Sequence, residues 1–246
     1  MNLQGVFTQT ELEKCGINRA ADIVVAVMLA CMFGGSLYSA ETAAWAGTYY
    51  IQIVIIPLLL AFIVVDRKRS TLLGHLFVLG LITGIVELFA DYLLVDVFKI
   101  LIYTSPDPRV WSSPLNMPIS WASVIVTQGY LVIRIIDILG LKFSRHTAVI
   151  TGSLVGGVIS GLTIGAYEAL AYNASWWKYI DSPFMVFTYA PLAIILGEVA
   201  IFAVFIYWFR LSSLNKRWSL PLAGIGLGLT IAAAYSLFHL LLKVMA

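Results

Sequence analysis

Charge is the scarcest thing in this chain. Only 11% of its 246 residues are Asp, Glu, Lys or Arg, while 61% are hydrophobic, and the mean hydropathy is +0.93. A soluble domain carries roughly a quarter charged residues, so the sequence reads as an all-α, polytopic membrane protein. The formal net charge of +2 is too small for a nucleic-acid footprint. Two cysteines, Cys15 and Cys31, make no disulfide framework, and Cys31 reads as packing in an apolar run. The three histidines, His75, His146 and His239, stand far apart. That spacing rules down a histidine-rich di-iron desaturase, disfavours a metal oxygenase and gives no metal site. No aspartate-rich pair would hold a magnesium diphosphate, and no buried basic cluster would receive one, which disfavours prenyltransferases and ionisation-type terpene synthases. A G-x-S-x-G elbow, a Walker loop and a dinucleotide fingerprint are also missing, so no cofactor is called for. The last apolar segment has no lysine before Lys243, which removes a retinal-binding rhodopsin.

What is present is a series of long apolar runs. A spanning helix needs about 20 mostly apolar residues, and seven segments qualify: 20–40, 44–65, 71–97, 117–139, 147–171, 184–209 and 219–243. They form one transmembrane domain over 1–246, preceded by a polar segment at 1–19 with no cleavable-signal pattern and with no soluble domain appended. Arg67, Lys68, Arg69, Lys142, Arg145, Arg210, Lys216 and Arg217 flank the spans on one side. The positive-inside rule makes that side cytoplasmic, with the N-terminus in and the C-terminus out. The two long connections, 98–116 and 172–183, then lie outside. Their Tyr103, Trp111, Trp176, Trp177 and Tyr179 read first as interface anchors. Gly157, Gly161 and Gly165 recur every four residues, and Gly224 and Gly228 repeat the spacing, which predicts close helix packing. Pro191 and Pro221 are candidate kinks.

The third segment contains "GIVELFADYLLVD", residues 84–96. Glu87 and Asp91 are one turn apart on one face, with Thr83 extending the stripe and Asp96 just beyond. Glu168 lies in the outer half of the fifth span and Glu198 near the middle of the sixth. An ionisable group at the bilayer centre costs ~2.5–3.5 kcal/mol on insertion scales, so such groups face a cavity or each other. Arg134 and Asp137 are one turn apart and satisfy one another, a structural pair. The other four acids have no matching cations. Hydrogen bonding between helices is one use for them. Chemistry is another, because a carboxyl kept out of water without a cation holds its proton and becomes a donor and a general acid. Protonating an alkene or epoxide gives a carbocation that aromatic faces stabilise. Candidate walls are Tyr92, Trp111, Trp121, Tyr130, Tyr167, Trp176 and Tyr189, although core packing is the plainer role for any one of them.

The segments "ELFADYLL" and "IYTSPDPRVWSSPLNMPISWASV" set a membrane glutamate before an aromatic loop containing Tyr103, with Pro118 and Trp121 opening the next helix. This layout resembles bacterial carotenoid-biosynthesis membrane proteins of the hydratase type. Size and seven-span layout also resemble the small integral-membrane terpene cyclases of meroterpenoid and indole-diterpene pathways. The resemblance implies that Glu87 matches the helix-borne acid of both groups. A late-helix acid is expected in the cyclases, whereas the seventh span here offers only His239. The expected function is an acid-catalysed isoprenoid cyclase or hydratase in a bacterial inner or ER-type membrane. Its partners would be a lipophilic isoprenoid and membrane lipid. Glu87 would be proton donor, Asp91 would tune or reprotonate it, Glu168 would be base or second acid, and Glu198 would shape the cavity floor. A proton-coupled transporter using the same acids is the rival class, and an accessory subunit is a third.

Overall fold

The computed structural model describes residues 17–65, 71–186, 188–213 and 217–246. Cys15, Arg67, Lys68, Arg69, Lys216 and most of the polar segment 1–19 lie outside the described residues. Seven helices are long and apolar enough to cross a membrane: α1 (Arg19–Thr42), α2 (Gly47–Val65), α3 (Thr71–Val97), α4 (Met117–Gly140), α5 (Arg145–Asn173), α6 (Leu192–Ser212) and α7 (Ser219–Met245). The protein is an all-α polytopic bundle. Asn18 starts α1 by accepting the Ala21 N–H at 3.0 Å, and Ser144 caps α5 by accepting from Thr147 N–H.

One boundary departs from the apolar pattern. The sixth helix begins at Leu192, because Pro191 is its extended N-cap and not an internal kink. Glu198 therefore sits in the first third of α6. Pro221 falls in the first turn of α7, where a missing N–H leaves no bond unmade. The proline truly inside a helix is Pro57 of α2.

Five helices close a ring in the order α3–α4–α5–α6–α7, with α7 returning to α3. Glycines set its tightest contacts. A Cβ on Gly84 would lie 2.7 Å from the Pro118 backbone, and one on Gly80 2.7 Å from Ala122 Cα. Bare backbone on α3 thus draws the start of α4 against it, which carries Trp121 beside Glu87. Gly157 and Gly161 do the same between α5 and α6, and Gly224 and Gly228 between α7 and α3, as the four-residue spacing predicts.

Helix α4 parts from α5 along its length. Its stretch Met117–Val124 packs on α3, while Tyr130–Gly140 packs on α5. The α1–α2 hairpin packs beside this divergence, with α1 against α5 and α2 against α3 and α4. At the far end Arg134 bonds Asp137 at 2.6 Å and Asp22 at 3.2 Å, and Tyr130 donates to Asp22 at 2.7 Å. The pairing read from sequence is present, and it fastens α1 to α4.

The two long connections fold over the other end as a cap. Strand β1 (Leu101–Tyr103) pairs antiparallel with β4 (Trp177–Tyr179), placing Tyr103 opposite Trp177. Short ladders β2 (Arg109–Val110) with β3 (Ser113–Pro114), and β5 (Met185–Val186) with β6 (Ala190–Pro191), brace each connection.

Candidate functional site

Beneath the cap lies a cavity of about 120 Å³ lined from all seven helices and from both connections. Five acids line it: Asp107 of the first long connection and four that are at most 7% exposed, Glu87 and Asp91 of α3, Glu168 of α5 and Glu198 of α6. The four buried ones form one electrostatic group, since Glu87 acts on Asp91 and Glu198, and Glu168 on Asp91 and Glu198. No lysine or arginine is buried among the described residues.

Each of these four carboxyls meets an aromatic donor. Tyr103 O–H donates to Asp91 Oδ2 at 2.6 Å, Trp177 Nε1–H to Glu168 Oε2 at 2.5 Å, and Tyr235 O–H to Glu198 Oε1. Glu87 is hydrogen-bonded to Trp121 and to Asp91, and its Oε2 is buried without a hydrogen-bond partner among the described residues. Glu198 Oε2 shares that condition.

The cap positions two of the donors. Ser175 takes a left-handed φ of 58°, and the turn it makes delivers Trp176 and Trp177 to the cavity wall. Thr104 N–H then bonds Trp176 O at 3.0 Å. Tyr103 meets the Trp177 ring edge-on at 6.0 Å, and Tyr167 packs 5.8 Å from Trp176. Burial, with the nearby carboxylates adding to it, pushes the Tyr103 and Tyr179 phenols well above their ordinary value of 10.0. Both stay protonated, so Tyr103 acts as a fixed donor to Asp91.

The sequence candidates therefore divide. Glu87, Asp91, Glu168, Glu198, Trp121, Tyr167 and Trp176 all line the cavity. Tyr92, Trp111 and Tyr189 do not. Trp111 is 71% exposed and stacks 6.1 Å from the exposed Tyr92, outside the bundle. Tyr189 stacks 4.0 Å from Tyr172, also away from the cavity. Tyr130 belongs to the Asp22 cluster at the opposite end. His239 is buried against Phe98 at 5.0 Å and Asp96 accepts from Ser112; neither reaches the cavity.

Several residues went unread. Tyr103, Trp177 and Tyr179 are cavity ceiling and not interface anchors, because the β1–β4 pairing turns them inward. Tyr235 carries no sequence signal beyond its register with the Gly224 and Gly228 stripe. Gln52, Asn116, Ser120 and Gln128 add neutral polar groups; Gln52 Nε2–H donates to Ser120 Oγ at 2.6 Å. Their legible clue was an amide within an apolar run, at Gln52 and Gln128.

Among the described residues no three of His, Cys, Asp and Glu gather in a metal-holding arrangement. What the arrangement offers chemically is a set of carboxyls out of water, aromatic side chains around them, and buried carboxyl oxygens on Glu87 and Glu198 left uncommitted among the described residues. No curated protein and no solved structure matches the chain. A domain of unknown function, DUF6989, matches residues 88–242, from the turn after Glu87 through most of α7. On that match, covering well over half its length, the chain belongs to the DUF6989 family.

Proposed function

We propose that this protein is an acid-catalysed isoprenoid cyclase, with Glu87 as the proton donor to an alkene or epoxide. The observation that carries the reading is the difference among the four acids. Asp91, Glu168 and Glu198 accept from Tyr103, Trp177 and Tyr235, while Glu87 pairs with Trp121 and with a second carboxyl, Asp91, and keeps Oε2 buried and unpartnered among the described residues. Glu198 Oε2 is unpartnered too, but without an adjoining acid one turn away on its own helix.

The alkene π pair takes the Glu87 proton, forming a C–H bond and breaking the carboxyl O–H. The cation left on carbon is stabilised by the faces of Trp121, Tyr167 and Trp176. A second alkene attacks it and closes the ring. Glu168 or Glu198 accepts the proton released when the final double bond forms, so mass is unchanged. Between turnovers the proton taken up by Glu168 or Glu198 passes by way of Asp91, fixed by Tyr103, back to Glu87, so every acid ends as it began. The dry cavity delays capture of the cation by water. A hydratase is the second form of this chemistry. Its support is Asn116 Oδ1, a buried acceptor on the cavity wall without a hydrogen-bond partner among the described residues, suited to seating one water. The basic connections would face the cytoplasm, with the capped cavity toward the outer leaflet of a bacterial inner membrane or the lumen of an ER-type one.

The test is mass spectrometry of lipids extracted from gently purified wild type and Glu87→Gln. General acid catalysis is worth about 10²–10⁴-fold, so the amide should lower turnover by at least 10²-fold and accumulate the substrate in a folded protein. Equal mass of substrate and product marks a cyclase, and a gain of one water a hydratase. Turnover retained in Glu87→Gln overturns the reading, and Glu87-dependent flux into proteoliposomes would replace it with transport.

A further inference from the structure

The cavity has a second polar level, away from the acids. Gln128 of α4 lines it at 3% exposure, and the Ser160 hydroxyl of α5 donates to Gln128 Oε1 at 3.1 Å. At 1.5 Å per residue, Gln128 stands about 10 Å further from the cap than Trp121. Ser160 likewise stands about 12 Å further than Glu168. Two helices running in opposite directions agree on this depth. Between the levels the wall carries no charge: Val124 and Ile164 line it with the hydroxyl residues Ser123 and Thr163, and Ser123 is committed to the Ile119 carbonyl of its own helix.

Local structure fixes the amide there. Gln128 lies in a π-helical turn, Ile125–Gly129, whose five residues are all buried. Such turns are rare inside α-helices and occur frequently at functional sites. The Phe205 ring would lie 2.6 Å from a Cβ on Gly129, so the turn is packed tightly against α6. Ser160 occupies one lone pair of the amide oxygen, and the amide brings two N–H donors of its own. Among the described residues no lysine or arginine lines the cavity, so this level suits an uncharged oxygen and not a phosphate.

We infer that the substrate carries an uncharged oxygen, a hydroxyl or carbonyl, bound by Gln128 about 10 Å from the end that meets Glu87. The reacting end rests on the reading of Glu87 as the acid; binding at Gln128 does not. The ligand class is thus an oxygenated isoprenoid, oriented with its neutral polar end toward the middle of the bilayer.

The experiment is quenching of the cavity tryptophans by farnesol and by farnesene, a matched alcohol and hydrocarbon, with the protein in lipid nanodiscs and concentrations corrected for partition. Wild type should bind the alcohol about five- to tenfold tighter, the factor expected for one neutral hydrogen bond. Gln128→Leu should erase that preference, Ser160→Ala should reduce it by loosening the amide, and Glu87→Gln should preserve it. Equal affinity of wild type for the two probes overturns the inference without any variant. A preference that survives Gln128→Leu, or one lost in Glu87→Gln instead, also overturns it. If Gln128→Leu does not fold, a preference unchanged in Ser160→Ala has the same force. Failure of the acid reading shows separately, as turnover retained in Glu87→Gln with the alcohol preference intact.

Discussion

Helices α1 and α2 bury 28% and 17% of their most apolar stretches, whereas α3 to α7 bury between 44% and 61%. All seven are equally apolar in kind, so hydropathy alone does not separate them. The difference lies in what each helix turns toward. The ring helices carry glycines whose absent side chains admit a neighbour's backbone, and they carry four of the five acids that line the cavity. The hairpin presents Ile23, Val27, Ile53, Val54 and Val64 outward. The family match begins at residue 88 and so leaves out the hairpin and most of α3. The four most buried acids belong to the ring, and closure of one wall of the cavity to the hairpin.

The largest effect expected from breaking this contrast is at Gly84. A side chain there meets the Pro118 backbone at 2.7 Å and Trp121 Cβ at 2.9 Å, and neither retreats without moving α4. Gly84→Val should cost about 3 kcal/mol, the upper part of the usual overpacking range. It should also separate Trp121 from Glu87. Thermal unfolding in detergent reads the first, and loss of turnover in the fraction that still folds reads the second.

A smaller loss is expected at Gly197. Its Cβ would lie 2.5 Å from the Tyr235 ring, a side chain and not a backbone. The ring gives way, and its phenol leaves Glu198. Gly197→Ala should cost about 1–2 kcal/mol, and Tyr235→Phe should reproduce its effect on turnover without the packing loss. If Tyr235→Phe retains full turnover while Gly197→Ala does not, the clamp on Glu198 matters only for packing.

Smaller again is the cap's response to alkali. Tyr103 is held neutral in the folded protein, above its ordinary value of 10.0. The unfolded chain releases this proton first, so the stability tied to Tyr103 is intact below about pH 10 and falls as pH rises toward the folded value. Unfolding measured from pH 8 to 11 should therefore steepen above pH 10 in wild type, and less so in Tyr103→Phe. Below pH 10 that variant should lose about 1 kcal/mol for the bond to Asp91. Parallel curves for the two proteins would mean that Tyr103 is not the titrating group.

The contrast also explains what the sequence discloses. Seven spans, the glycine faces and the Arg134–Asp137 pair are local or periodic features, written in hydropathy and spacing. The acids were legible because an unpaired carboxyl in hydrocarbon is costly wherever it appears. Their partners were not, since Tyr103 and Trp177 reach Asp91 and Glu168 only through pairing of two connections far apart in the chain. An aromatic loop beside a membrane has the same composition whether it anchors at the interface or folds inward. Trp111 stays exposed and Trp176 folds inward, as the backbone turns around them direct. The same limit applies to Pro191, whose apolar neighbours extend the sixth span on paper while the ring itself starts the helix afresh at Leu192.

The smallest effect belongs to the hairpin's outer face. Nothing lies within 4 Å of a Cβ built on Gly34 of α1. Gly34→Ala should therefore lose no packing, and the helix propensity of alanine over glycine should raise stability by about 0.5–1 kcal/mol or less. The proper comparison is Gly84→Ala in the ring, the same change of one methyl group made against a backbone. If both substitutions act as the geometry directs, the gain at Gly34 and the loss at Gly84 will have opposite signs in the same unfolding assay. A loss at Gly34 as large as that at Gly84 would mean that α1 is packed against protein and not lipid. The division between an acid-bearing ring and an outward-facing hairpin would then fail, because the low burial of α1 would no longer describe its surroundings in the membrane.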